Sequence, residues 1–504
     1  MKSVIALDLG TSGCKITAID ERGRIIADAL EEYPCSFPKK GWSEQNPEDW
    51  FNACVKGLKE VVGKIPGYEI SALGFSGQMH GLVALDEGCK VIRPAILWND
   101  QRTAKQCDEI TETAGGTDSL VKLTGNRTMT GFTAGKILWM RENEPENFSA
   151  IRHILNPKDY IRLRLTGEFI TDVSEASGTG LYDVPARTFS AELLELLGLS
   201  EELLPEVRES TDPAGYITEQ AAALTGLPVG LVCSAGGGDA VISTTGLGLV
   251  KDGLVGITVG TSGVVAMGLS NPVENTMGRM QLSAGNAPGK WHIMGAMLSA
   301  AGAYSWFADT LGGEEKIISE KIGKNVFALL DSEAEKVPPA SDGLLFLPYL
   351  IGERCPVYDP DALGGFFGLN MLHTKGHFAR SVMEGVAFAL RQIYDEMTGL
   401  CGVCPSEIVL AGGGASSPLW RRIFAGVFNL PVYTVSGSRQ GGSFAAALVA
   451  SVTAGIFPSL DEAMNTVKVL TRDFPDENDV KLYAEGYEKY KRLYGSMKWL
   501  WEKQ

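Results

Sequence analysis

Apolar positions in the first 80 residues switch between two spacings, and each switch marks an element. Val4-Ile5-Ala6-Leu7 with Leu9 is an apolar run interrupted only by Asp8, which predicts a buried strand over 3–9. A second strand is expected over 14–20, a turn at Glu21-Arg22-Gly23, and a third strand over 24–30, forming an antiparallel meander. The spacing then lengthens. Asn46-Pro47-Glu48 supplies a capping residue, a proline at the first helical position and an acid in the first turn. Trp50, Phe51, Cys54, Leu58, Val61 and Val62 follow at three- to four-residue intervals, one face of a helix. A strand over 70–75 comes next and ends at Ser76-Gly77-Gln78-Met79-His80-Gly81. Meander, helix and strand together predict an α/β fold, a mixed sheet with helices on its faces.

The second half repeats this order less cleanly. Residues 231–234 form a short apolar run leading into Ala235-Gly236-Gly237-Gly238-Asp239, followed by a helical stretch over 240–248 and a strand over 254–259. Residues 408–411 predict a strand ending in Gly412-Gly413-Gly414, with a helix beginning near Pro418. The longest amphipathic helix is expected over 376–398, burying Phe378, Val382, Val386, Phe388, Ala389 and Ile393.

One tetrapeptide ties the halves together. Gly10-Thr11-Ser12-Gly13 recurs as Gly260-Thr261-Ser262-Gly263, each time directly after an apolar run. A strand ending in Gly and Thr/Ser presents backbone N–H groups and hydroxyls on a tight turn, geometry that suits phosphate oxygens. Two copies suggest two related lobes gripping one polyphosphate; two ordinary strand–turn–strand hairpins explain the same residues. The division is expected at the glycine run 236–238, giving an N-terminal lobe over 1–238 and a C-terminal lobe over 239–504.

A length of 504 residues favours two domains, and 44% apolar with 21% charged residues is a globular composition. A net charge of −16 with no cationic stripe argues against nucleic acid. No apolar run is long enough for a membrane span, and the N-terminal run, broken by Asp8, is expected to be a first strand rather than a signal peptide. The nine cysteines show no framework spacing, so reduced thiols and a cytoplasmic location are expected. Cys401-Gly402-Val403-Cys404 is a single CxxC without a second pair. GxxxxGK[ST], GxSxG and HExxH are absent, and Ser417 stands where a GxGxxG run from Gly412 needs its third glycine.

Four features are candidates for chemistry. Asp239, at the carboxyl end of a predicted strand, projects where open sheets bind ligands; it also reads as a helix cap. Asp8 lies inside an apolar strand beside the first turn, a place for holding Mg²⁺ through water, or for an edge-strand acid in solvent. Gly412-Gly413-Gly414 allows close approach of a purine or ribose, or simply makes a tight turn. His80 is placed to donate a hydrogen bond to a sugar hydroxyl, or is a satisfied structural histidine.

Longer motifs then carry a resemblance. Gly131-Phe132-Thr133-Ala134-Gly135-Lys136-Ile137-Leu138-Trp139-Met140, and residues 364–384 with Phe366-Phe367-Gly368-Leu369, His377-Phe378 and Ser381-Val382-Met383-Glu384, are similar to the two signatures of the FGGY carbohydrate kinases. Trp42-Ser43-Glu44-Gln45, Gly77-Gln78-Met79-His80-Gly81, Ile96-Leu97-Trp98-Asn99-Asp100, Lys158-Asp159-Tyr160-Ile161-Arg162-Leu163-Arg164 and Leu347-Pro348-Tyr349 with Gly352-Glu353-Arg354 resemble the branch of that family acting on D-xylulose. The resemblance covers essentially the whole chain. It implies two actin-like, ribonuclease H-like lobes with mixed sheets flanked by helices, and an active site in the interdomain cleft. It also implies transfer of phosphate from ATP to the terminal hydroxyl of D-xylulose.

By the same resemblance Asp239 is the catalytic base, Met79 and His80 contact the ketose, and Asp8 supports Mg²⁺ and the phosphates. Thr11, Ser12 and Lys15, with Gly260, Thr261, Gly412, Gly413 and Gly414, line the nucleotide. The implied partners are a small-molecule sugar and ATP, with a homodimer as an open expectation. Two departures stand out. Ala240 replaces the Asn that relatives carry after the base, and Gly441-Gly442-Ser443-Phe444-Ala445-Ala446-Ala447 is less regular than their Gly-Ala-Ala run. The second departure is expected to concern packing rather than chemistry. The sequence leaves open a sister kinase for another pentulose or alditol, a non-catalytic sugar-binding regulator, and an actin- or Hsp70-like ATPase.

Overall fold

Val4, Ile5, Ala6, Leu7 and Leu9 are all buried because the strand Lys2–Leu9 is central, with a helical layer on each side. Ile5, Leu7 and Leu9 pack with Trp50, Cys54, Leu58 and Val61 of the helix Pro47–Lys64. Val4 and Ala6 face the other way, onto Phe444, Ala446 and Val449 of the helix Gly442–Thr453. Burial of a large apolar side chain is worth about 1.5–3 kcal/mol, so this two-sided core fixes which strand residues face which helix. The computed structural model describes residues 1–438 and 441–502.

Among the described residues there are two seven-stranded mixed sheets flanked by helices. The first runs in the order Pro213–Tyr216, Val232–Ser234, Glu69–Gly77, Lys2–Leu9, Gly13–Asp20, Ile25–Glu32, with Gly237–Gly238 as a short extra pair on Glu69–Gly77. The first three strands in sequence form the expected meander, and Lys2–Leu9 pairs in parallel with Glu69–Gly77. In the second sheet Val255–Val259 pairs antiparallel with Gly263–Leu269 and in parallel with Ile408–Ala411, which pairs in parallel with Val432–Val435. Both tetrapeptides are therefore hairpin turns, each beside a parallel third strand.

Three expectations change. The compact units do not divide at 238/239. The first comprises Met1–Asp252, Gly268–His292 and Gln440–Val467; the second comprises Gly253–Met267, Ile293–Arg439 and Lys468–Gln504. The helix Asp239–Thr245 stays with the first unit, where it packs on the helix Gly442–Thr453. Gly236–Gly238 is not a linker either: Gly237 and Gly238 pair with Ser76 and Gly77, and all three glycines are buried. The long helix runs Lys375–Cys401 and is buried all round from Ala379 to Leu390, not amphipathic there, while the expected core residue Phe378 is only half-buried. No helix among the described residues is long and apolar enough to cross a membrane.

Candidate active site

Strand register delivers the first group of candidates to one edge. Asp8 pairs with Lys15 on one side and Ser76 on the other; Ser76 in turn pairs with Gly237, and Gly77 with Gly238. The residues that follow these strand ends are Gly10-Thr11, Gln78-Met79-His80 and Asp239. They emerge together at the carboxyl edge of the first sheet, where open sheets bind ligands. Asp8, Thr11, Ser12, Lys15, Met79, His80 and Asp239 thus share one edge of the first unit.

Asp8 is not an edge-strand acid. It shares the face of Val4 and Ala6, so it points toward the helix Gly442–Thr453 and meets that helix's first turn. Its Oδ1 accepts from Ser76 Oγ at 2.7 Å, and the amides of Gly442 and Ser443 also donate to its carboxylate. A methyl group at residue 442 would lie 2.4 Å from Ser76 Oγ and 2.7 Å from Asp8 Oδ1, so only glycine admits this contact. Burial raises the pKa of Asp8, opposed by Ser76, Lys15 and the two amides. The glycine–alanine segment expected to matter only for packing therefore supplies donors to a candidate catalytic acid. The sequence carries no local sign of it, because the two partners lie at opposite ends of the chain.

Asp239 opens its helix, with Gly238 as the capping residue. Its Oδ1 accepts from the Ala240 amide at 2.7 Å, and the Met79 amide donates to the same carboxylate. Burial, with the nearby charge of Asp8, pushes its pKa up to about 7. The capping position falls to Gly238, so Asp239 is the first helical residue rather than the cap, and a carboxyl titrating near neutrality has the acidity a general base needs. Gly238 lets Met79 come close: a Cβ there would sit 2.5 Å from Met79 Cγ.

His80 carries φ +70°, a left-handed backbone that few non-glycine residues adopt. Its Nδ1 lies 2.7 Å from the Gly178 carbonyl, which can only accept. Nδ1 therefore bears the hydrogen, and in the neutral ring Nε2 is an acceptor. In that tautomer Nε2 has no hydrogen to give, whereas the sequence reading makes His80 a donor. The first turn is held by side chains. Tyr33 OH donates to the Gly10 carbonyl at 2.5 Å, Gln45 Nε2 to the Thr11 carbonyl at 2.7 Å, and Trp98 Nε1 to Thr11 Oγ1 at 3.0 Å. Gln45, Gln78, Trp98 and Lys136 belong to motifs whose individual roles the sequence left unassigned.

The second unit holds the other group. Thr258 pairs with Ala411, so Gly260-Thr261 and Gly412-Gly413-Gly414 leave neighbouring parallel strands at the same end. Backbone amides of Ala300, Ala301 and Gly302 donate to the Thr261 and Gly260 carbonyls at 2.8–3.1 Å. Gly412 has φ +82°, and a Cβ there would lie 2.6 Å from the Val259 carbonyl oxygen. Thr261 and Gly413 are exposed at this edge. Among the described residues no three His, Cys, Asp or Glu side chains group into a metal cage, Cys401 and Cys404 included.

Comparison with known proteins finds relatives along nearly the whole chain. Residues 3–246 match the N-terminal domain, and residues 255–454 the C-terminal domain, of the FGGY family of carbohydrate kinases. A xylulose kinase of Lactococcus lactis is 36% identical over 499 residues, covering 98% of this chain and 97% of that protein. A xylulose kinase of Escherichia coli is 37% identical over 493 residues, covering 97% and 98%. The crystal structure of xylulose kinase from Rhodospirillum rubrum superposes with a TM-score of 0.91 at 28% identity, covering 100% of both chains.

Proposed function

The chain belongs to the FGGY family of carbohydrate kinases, and from that premise we propose that it transfers the γ-phosphate of ATP to the terminal hydroxyl of D-xylulose, giving D-xylulose 5-phosphate. Membership makes it a phosphotransferase with an alcohol acceptor and ATP as donor, and its relatives mark it as a sugar kinase of the xylulose kinase type. The sugar and the residue roles are the proposal. One observation carries it: Asp239, with its pKa pushed up to about 7, shares a sheet edge with Met79-His80 and a phosphate-type turn.

Phosphoryl transfer asks mainly for positioning and charge stabilisation. Met79 and His80 hold the ketose, with Nε2 of the neutral His80 ring accepting from a sugar hydroxyl. Asp239 takes the proton from O5 as that oxygen attacks the γ-phosphorus in line. Thr11, Ser12 and Lys15 contact phosphate oxygens, and Gly260, Thr261 and Gly412–Gly414 are the nucleotide-lining residues. The donor set at the first edge suits Mg²⁺, which keeps most of its waters and needs only one or two carboxylates beside substrate phosphates. Asp8, with Asp239 near enough to feel its charge, would hold it through water. When bound, the ion offsets charge on the β- and γ-oxygens.

ATP consumption with D-xylulose, L-xylulose, D-ribulose, L-ribulose and xylitol tests the reading. D-Xylulose is expected to give the highest kcat/KM by at least about tenfold, the discrimination worth roughly 1.4 kcal/mol. A second reading, a sister kinase for another pentulose or alditol, is favoured by Ala240, whose side chain brings no polar group beside Asp239. A tenfold preference for any other acceptor establishes that second reading.

A further inference from the structure

We infer that Lys136 is a positioning residue for the sugar: together with Thr133 it fixes the left-handed backbone at His80, and so the aim of Met79-His80. The inference rests on the reading that this dipeptide contacts the acceptor, and deepens it.

Lys136 is completely buried on the helix Thr133–Asn143. A buried amino group is costly, and an apolar side chain would fill the same space without that penalty unless its N–H donors have work to do. Its Nζ donates to two carbonyls, that of His80 at 2.7 Å and that of Gly131 at 2.6 Å. Thr133 Oγ1 donates to the same His80 carbonyl at 3.1 Å. Asn156 Nδ2 extends the stitch, reaching Thr133 Oγ1 at 3.2 Å and the Gly81 carbonyl at 2.8 Å. Both peptide units after the strained residue are thus tied to fixed donors.

The ring is held independently of that carbonyl. Nδ1 is bound to the Gly178 carbonyl, and the Phe132 ring centroid stands 4.9 Å away. A Cβ at residue 178 would come within 2.5 Å of Nδ1, so the ring has no room to follow a relaxing backbone. A positive φ at a histidine persists only where its surroundings over-determine it. Here the determinants are the Lys136 amino group and the Thr133 hydroxyl on one carbonyl. Without them φ at His80 relaxes toward negative values, and the ring and the Met79 side chain lose their mutual alignment. Asp239 keeps the Ala240 amide, so the chemical step is less affected than sugar binding.

Lys136→Met and Thr133→Ala each remove one donor, and steady-state kinetics with D-xylulose and ATP read the result. Each is expected to raise the sugar KM at least tenfold, while the KM for ATP and kcat stay within about fivefold. Thr133→Ser keeps the hydroxyl and is expected to restore the wild-type sugar KM. Lys136→Met placed on His80→Gly is expected to add nothing, because glycine adopts a positive φ unaided. Sugar KM values unchanged in both single variants, or ATP and sugar constants rising together, overturn the inference while leaving the kinase reading intact. Wild-type protein that phosphorylates no sugar overturns the reading, and the inference with it.

Discussion

The hairpins around Gly10 and Gly260 share a topology but not an endowment. Each is an antiparallel pair with a third strand parallel to its first member. Two residues before the turn, however, one has Asp8 against Ser76 and the other Thr258 against Ala411. Beyond the third strand, one has Gln78-Met79-His80 and the other three glycines. Side chains brace the first turn, whereas main-chain amides of residues 300–302 brace the second. The same scaffold thus presents ionisable side chains at one edge and a glycine-rich backbone at the other. Reactive groups need fixed geometry and tuned acidity; a surface that packs against a base or a phosphate mainly needs the absence of side chains.

The most severe way to break this contrast is at Asp239. If the first edge holds the base, Asp239→Asn lowers kcat by about 10²–10⁴-fold with a far smaller change in sugar KM. Retention of a tenth of wild-type turnover would move the base elsewhere. The same carboxyl sets a pH dependence. With a folded pKa of about 7 against an ordinary value of 3.8, it is protonated in the native protein between these limits but ionised in the unfolded chain. The stability this confers is present at low pH and lost as pH rises through 7. Asp239→Asn is therefore expected to raise Tm more at pH 8 than at pH 5. In the wild type, kcat/KM should fall with a slope near one below pH 7. Profiles flat from pH 5 to 8 contradict both.

A paired substitution at mirrored positions sharpens the comparison. Asp8→Asn removes a charge accepting from Ser76, Gly442 and Ser443, and is expected to lower kcat by about 10–100-fold, 1.4–2.7 kcal/mol of transition-state stabilisation. Thr258→Val, at the equivalent place in the second hairpin, should leave kcat within threefold. Equal losses at both positions would mean that the two edges contribute alike, and the division of labour drawn here would fail.

Much of this was legible beforehand, and the limits have physical causes. The first meander, its turn, the capped helix from Pro47 and the strand before Gln78 all follow from local spacing and capping. Asp8's face follows from the parity of Val4, Ala6 and Asp8, but the identity of its cover does not. That cover is a helix from the far end of the chain, and pairing across so many residues leaves no periodic trace. The glycine run 236–238 looked like a hinge because glycine permits one. It is instead where strands and Met79 approach too closely for any Cβ. Lys136 was visible only as one letter of a motif, since a lysine on a helix ordinarily reads as surface, and its complete burial is a tertiary fact.

The smallest expected effect concerns that lysine, and it separates the braced edge from the bare one without any substrate. Burial pushes the Lys136 pKa down to about 7 from 10.5; Asp100 and Cys107 act to raise it and Arg102 to lower it. Between those limits the unfolded chain binds a proton that the native protein does not, so stability rises with pH through the window. One such group contributes at most about 1.4 kcal/mol per pH unit. Lys136→Met abolishes the contribution, although it also deprives the His80 and Gly131 carbonyls of a donor at every pH. The difference in Tm between variant and wild type should then shift steadily against the variant from pH 7 to pH 10. Gly412→Ala, which strains the second edge but titrates nothing, should give a Tm difference independent of pH over that range. A constant difference for both variants would show that burial does not lower the Lys136 pKa in the native protein.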